Sequence, residues 1–235
     1  MSTQADRLTT IAALGERLRR DMYLFVASAP AAVSRDRVAE QFGVSRGVAA
    51  FHLDKLAELG LLDTEYHRPP GRSGPGAGRP AKFYRPTTED VSFSVPPREY
   101  ELAGRLLAEA VTVAEREEVP VSRALRDVAR TVGRSLGERA RRRVTENANR
   151  QQLIDAAYEE LSECAYEPRR EDTGITLANC PFHGLAREYR DLVCGMNLEI
   201  MEGFTEVLDG AGLEARLEPC AGQCCVRLHK MPSDS

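Results

Sequence analysis

Residues 34–60, SRDRVAEQFGVSRGVAAFHLDKLAELG, decide how the front of this chain folds. Ser34 is placed to cap a helix over 35–42, whose Val38, Ala39 and Phe42 turn inward, and Gly43 supplies a tight turn. Ser45 then caps a second helix over 46–59, with Val48, Phe51, Leu53 and Leu56 as inner positions and Gly60 as its stop. Two short helices around residues 43–45 make a helix-turn-helix, a unit that offers the N-terminal residues of its second helix to the DNA major groove.

Upstream, Ile11, Leu14, Leu18, Met22 and Phe25 recur at three- and four-residue steps, which predicts one amphipathic helix over 7–28 ended by Ala29-Pro30. Downstream, residues 61–67 and 82–84 read as strands around the segment RPPGRSGPGAGRPA. By itself that segment reads as a Gly/Pro linker; after a helix-turn-helix it reads as the tip of a wing. Residues 68–85 carry Arg68, Arg72, Arg79, Lys82 and Arg85 and no acid, a charge set suited to phosphate. The candidate DNA contacts are Ser45, Arg46 and His52 on the second helix and Arg72, Arg79 and Lys82 in the wing. Arg46 serves either a base edge or a phosphate, and His52 either contacts DNA or packs. This order of elements, with GRPAKFYRPT in the wing, resembles winged-helix repressors of the ArsR-like superfamily, and the resemblance implies DNA binding for the first third of the chain.

Over 235 residues the hydrophobic share is 42% and the charged share 29%, an ordinary soluble balance. No leader pattern or membrane-length apolar run occurs, so the expected location is cytoplasmic, with no membrane partner. Residues 1–86 hold 13 Lys and Arg against 9 Asp and Glu, which leaves the acidic excess on the remainder. That asymmetry suits a DNA-binding module joined to a sensing or dimerising part.

Pro96-Pro97 precede three predicted helices, over 98–118, 121–144 and 150–164. Their apolar positions include Leu102, Leu106, Leu125, Val128, Leu136, Leu153 and Leu161, a pattern of core or of subunit interface. Because helix-turn-helix proteins commonly read two half-sites, the economical reading is a homodimer on a palindromic double-stranded DNA operator. The run 141–143 reads as a solvated basic helix end.

Five of the six cysteines fall between Cys180 and Cys225, in NCPFH, LVCG and PCAGQCCV. Strands are predicted over 166–169, 175–178, 214–218 and 224–229, with a mainly helical stretch over 186–208. In a reducing compartment, clustered cysteines ligate metal or do redox chemistry more often than they form structural disulfides. Alternation along the last strand would turn Cys224 and Cys225 to opposite sides. Cys164 stands apart, and His183 serves as a ligand or as a helix cap.

With a winged helix in front, NCPFH…LVCGMN…GQCCV is similar to SufR-type repressors that control iron–sulfur cluster assembly, and to their actinobacterial relatives. The resemblance implies a cysteine-held iron–sulfur cluster, [4Fe–4S], on Cys180, Cys194 and Cys224, with repression by the cluster-bound form. Cys220, Cys225 and His183 leave the third and fourth ligands open, and zinc on a similar set is the alternative cofactor. A bare thiol switch is a further alternative. A thiol enzyme is disfavoured: His183 is the one histidine in these motifs, and no phosphate loop, zincin motif or nucleophile elbow occurs. The expected architecture is therefore α+β: a winged helix-turn-helix over 1–88, dimerisation helices over 89–163 and a small α+β sensor domain over 164–235.

Overall fold

A computed structural model describes residues 4–67, 80–88 and 94–232, and the chain divides after Phe93 into two compact units. Both are mixed α+β, and among the described residues no helix is long and apolar enough to cross a membrane.

The first unit opens with two helices where one was predicted, α1 (Gln4–Gly15) and α2 (Arg17–Ser28). The break lies at Glu16, whose backbone is extended and whose carboxylate accepts from the amides of Leu18 and Arg19. A side chain capping the next helix competes with continuing the last one, and an apolar repeat that runs through residue 16 cannot reveal it. After β1 (Val33–Ser34) come α3 (Arg35–Phe42) and α4 (Arg46–Glu58), capped by Ser34 and Ser45 through the amides of Arg37 and Val48. Gly43 between them sits at φ 62°, the left-handed region that favours glycine. Strands β2 (Leu62–His67) and β3 (Ala81–Pro86) then pair antiparallel from Leu62 opposite Pro86 to His67 opposite Ala81, and β1 joins the free edge of β3. Met22, Val26, Val38, Leu53, Leu56 and Tyr84 fill the core.

One prediction about α4 fails. Its buried stripe is Ala49, Leu53 and Leu56, spaced four and three residues. At roughly 100° per residue that spacing turns Val48 and Phe51 away from the core. Both are exposed, Phe51 at 63%.

The second unit holds α5 (Tyr100–Glu117), α6 (Val121–Arg141), α7 (Arg150–Glu163), β4 (Pro168–Glu171), β5 (Gly174–Leu177), α8 (His183–Glu188), α9 (Arg190–Val207), β6 (Leu213–Leu217) and β7 (Val226–Lys230). Its sheet is antiparallel in the order β4-β5-β7-β6. The helix predicted over 186–208 is interrupted at Tyr189, whose backbone leaves the helical region between α8 and α9. The helices α6 and α9 cross at backbone contact. A Cβ on Gly133 would stand 2.0 Å from the Ile200 carbonyl oxygen, and one on Gly203 2.1 Å from that of Arg130.

A single core runs from Ala103 on α5 to Leu228 on β7. The expected boundary between 163 and 164 therefore separates no two cores: the apolar stripe of Leu125, Val128 and Leu136 is buried within this chain's own second unit. Hydrophobic burial requires only a partner surface, and here α9 is part of it. The basic run 141–143 is not merely solvated either, because Arg143 pairs with Glu160 at 2.9 Å and Glu163 at 2.7 Å.

Candidate functional site

The cysteine motifs meet in the second unit. Cys180 follows β5 directly before Pro181, Cys194 lies in the first half of α9, and Cys224 and Cys225 precede β7. The last strand starts at Val226, one residue beyond the pair, and both residues are buried. None of the six cysteines is in a disulfide.

Cys180, Cys194 and Cys225 line a cavity of about 250 Å³, with Cys220, His183, Arg187 and Arg190 also on its wall. Cys224 is not on that wall. Its sulfur accepts from Asn197 Nδ2 at 3.1 Å, and Asn197 Oδ1 accepts in turn from the Tyr166 hydroxyl at 2.7 Å. These polar groups are buried, so each bond fixes the next. The sequence places Asn197 one helical turn beyond Cys194, in LVCGMN; its role was not legible there because its partners come from distant segments.

The four buried thiols lie near enough to shift one another's acidity, Cys180 with Cys224, Cys224 with Cys225 and Cys225 with Cys194. Among the described residues, no three Cys, His, Asp or Glu side chains stand ready as the ligand set of a metal ion. Holding one would require the thiols to turn from each other toward the cavity. The hydrogen bond from Cys224 pulls Cys225 down to about 6 against the effect of burial, with Cys194 acting in the same sense. Burial pushes Cys194 up to about 12, and hydrogen bonding to Cys180 raises Cys224. Cys180 is lowered by its hydrogen bond with Cys224, and the charge of Arg98 acts in the same direction. Thiolate character thus concentrates on Cys225 and Cys180, two of the four cysteines on the cavity wall, and arginines stand near each.

A second set of bonds frames Cys180. The Arg98 guanidinium donates to the Asn179 side-chain oxygen and, at 2.9 Å, to the Cys180 carbonyl. Asn179 Nδ2 donates to the carbonyls of Pro97 and Ala165 at 2.9 and 2.6 Å, and the Glu99 amide to that of Pro181. The Gly184 amide donates to the Tyr100 hydroxyl at 3.1 Å. None of Arg98, Asn179 and Tyr100 was picked out from sequence, since the bonds span more than 80 positions. His183 is exposed and opens α8, with its amide bonded to the Cys180 carbonyl. Cys220 is exposed and Cys164 lies apart beside Glu160 and Arg139.

Of the six predicted DNA contacts, three are engaged in structural work. The His52 side chain is 12% exposed and faces Glu16 at 3.4 Å. Lys82 Nζ lies 2.5 Å from Asp54 Oδ1, an oxygen that also accepts from the Tyr84 hydroxyl at 2.8 Å, tying β3 to α4. Ser45 is occupied as the cap of α4. Arg46 projects, 76% exposed, with Asp36 at 3.0 Å. Arg72 and Arg79 lie outside the described residues.

No protein-family model matches the chain, and no curated protein is significantly similar to it.

Proposed function

We propose that this protein is a DNA-binding transcriptional regulator of winged helix-turn-helix type, whose second unit senses iron–sulfur or redox status through a cysteine-held cluster. The observation that carries this reading is the meeting of four buried thiols from three separate segments beside one arginine-bearing cavity, in a chain whose first unit holds an α3–turn–α4 pair and a β2–β3 hairpin. Soft thiolates suit iron and zinc alike. The resemblance of the cysteine motifs to SufR-type repressors favours the cluster, with zinc as the alternative.

Cys180, Cys194 and Cys225 are the proposed ligands, with Cys220 or His183 at the rim for a fourth position. Cys224, given the third place by the resemblance to SufR-type repressors, is better suited to a supporting role because its sulfur is engaged by Asn197. Arg187 and Arg190 offset the negative charge that gathers on thiolate ligands. When bound, such a cluster supplies iron centres whose redox state depends on hydrogen bonds, net charge and solvent access. The proposed partners are a palindromic duplex operator and a second copy of the chain.

The test is anaerobic purification followed by iron, sulfide and zinc analysis of the intact protein. Cys180→Ser, Cys194→Ser and Cys225→Ser each strongly reduce iron and sulfide, Cys224→Ser reduces them less, and Cys164→Ser leaves them unchanged. A colourless protein with stoichiometric zinc replaces the cluster by zinc. Normal cofactor content in the Cys180, Cys194 and Cys225 variants alike refutes the ligand assignment. Operator binding by loaded and unloaded protein at one salt concentration then tests sensing, with an expected difference of about 5–150-fold in favour of the loaded form. Equal affinities refute it.

A further inference from the structure

Val48 and Phe51 stand three residues apart on α4, hence on one face of that helix, and both are exposed. Gly47 belongs to the same face, and a Cβ there would meet nothing closer than the Ser45 hydroxyl at 3.9 Å. Packing does not demand a glycine at that position, and glycine inside a helix is unfavourable compared with alanine. The face is thus smooth at its N-terminal end, apolar in the middle and bordered by Arg46. Val48 and Phe51 together give this face a small apolar patch that a partner of matching chemistry can cover.

We propose that Gly47, Val48 and Phe51 form a thymine-reading surface, in which Phe51 and Val48 pack on 5-methyl groups in the major groove while the bare backbone at Gly47 lets α4 approach the base edges. This rests on the DNA-binding reading above and adds the base that is read. Duplex DNA is favoured as occupant by charge: residues 1–86 carry 13 basic and 9 acidic side chains, within a chain of net charge −4. Among the base edges in the major groove, that of thymine presents an apolar methyl group, and Phe and other apolar side chains are its natural contacts. Arg46 supplies the neighbouring polar contact, to phosphate or to guanine. Neither His52 nor Lys82 competes for this role, being turned to Glu16 and Asp54.

The experiment enriches binding sites for the full-length protein from a randomised duplex library, then replaces each recurring thymine by deoxyuracil, which lacks only the methyl group. Burial of one such group corresponds to about a fourfold change in affinity. The expected result is a loss of about fourfold at one or more thymines for the wild-type chain, abolished in Phe51→Ala, whose salt dependence of binding stays unchanged because the residue is uncharged. Enriched sites with equal affinity for thymine and deoxyuracil overturn the thymine reading while leaving DNA binding intact. Failure to enrich any sequence overturns sequence-specific DNA binding, and with it this inference. A Phe51→Ala chain with altered molecular mass in solution assigns the face to contact between copies and overturns the proposal.

Discussion

Replacing Gly203 by alanine tests the crossing of α6 and α9 that carries Cys194 into place. The new Cβ would stand 2.1 Å from the Arg130 carbonyl oxygen, where real contacts begin near 3.0 Å, so the helices must part by about 0.9 Å. The obstacle is backbone and cannot rotate away, which puts the cost at the upper end of the roughly 1–3 kcal/mol seen for overpacking. Removing a mid-helix glycine returns about 0.5–1 kcal/mol, leaving a net loss of about 2 kcal/mol. In a unit of this size that corresponds to a melting transition roughly 6 °C lower. Gly195→Ala, on the same helix with nothing within 4 Å, gains the propensity term alone and should raise the transition by about 2–3 °C. Calorimetry of the full chain resolves the sign for each variant. Gly203→Ala equal to or more stable than Gly195→Ala would refute backbone contact between these helices.

Glu160→Ala should destabilise the second unit by about 2–3 kcal/mol in urea unfolding, because Glu160 is 1% exposed between Arg139 and Arg143; those cations are about a third exposed and rehydrate, which holds the loss below the usual figure for a broken buried pair. An effect under about 0.5 kcal/mol, typical of a surface change, would contradict that burial. Burial alone would raise the Asp54 carboxyl, but hydrogen bonds from Lys82 and Tyr84 bring it below its ordinary value. Its stabilisation is thus complete above the unfolded-state value near about 4 and is lost as pH falls through the folded value, so Asp54→Asn should flatten the acid limb of the first unit's stability curve. In timed alkylation of metal-free protein read by mass spectrometry, exposed Cys220 should react first, and Cys164, whose thiol burial pushes up to about 12, among the last. Rapid labelling of Cys164 in folded protein would contradict its placement.

Much of the first unit was legible because its signals are local. A cap oxygen lies three residues from the amide it serves, as Ser34 does from Arg37, and Gly43 adopts a backbone that its own type permits. The break at Glu16 is a local misreading, while others turn on choices that distance along the chain conceals. The spacing of α4 allowed two apolar stripes, and only contact with α2 and the sheet decides that Leu53 and Leu56 face inward while Phe51 does not. Lys82 reads as a free cation until Asp54, 28 residues earlier, is brought beside it. In the second unit, the stripes on the central helices were correctly apolar. The sequence has no way to say whether this chain or a second copy covers them. Cys224 and Cys225 precede β7 rather than opening it, and only Cys225 of the two lines the cavity.

The bonds around Cys180 fix where this protein can be divided. Residues 97–100 lie far from the cysteines in sequence, yet they supply an acceptor to Asn179, a guanidinium to the Cys180 carbonyl, an amide to Pro181 and a hydroxyl to Gly184. A fragment beginning at residue 164 would lack these partners as well as α6, the surface on which α9 rests. Each buried acceptor left without its donor costs about 1–3 kcal/mol, against a total stability of only about 5–15 kcal/mol for a domain. The smallest fragment that keeps the cavity wall intact starts upstream of Pro97, within the stretch that joins the two units.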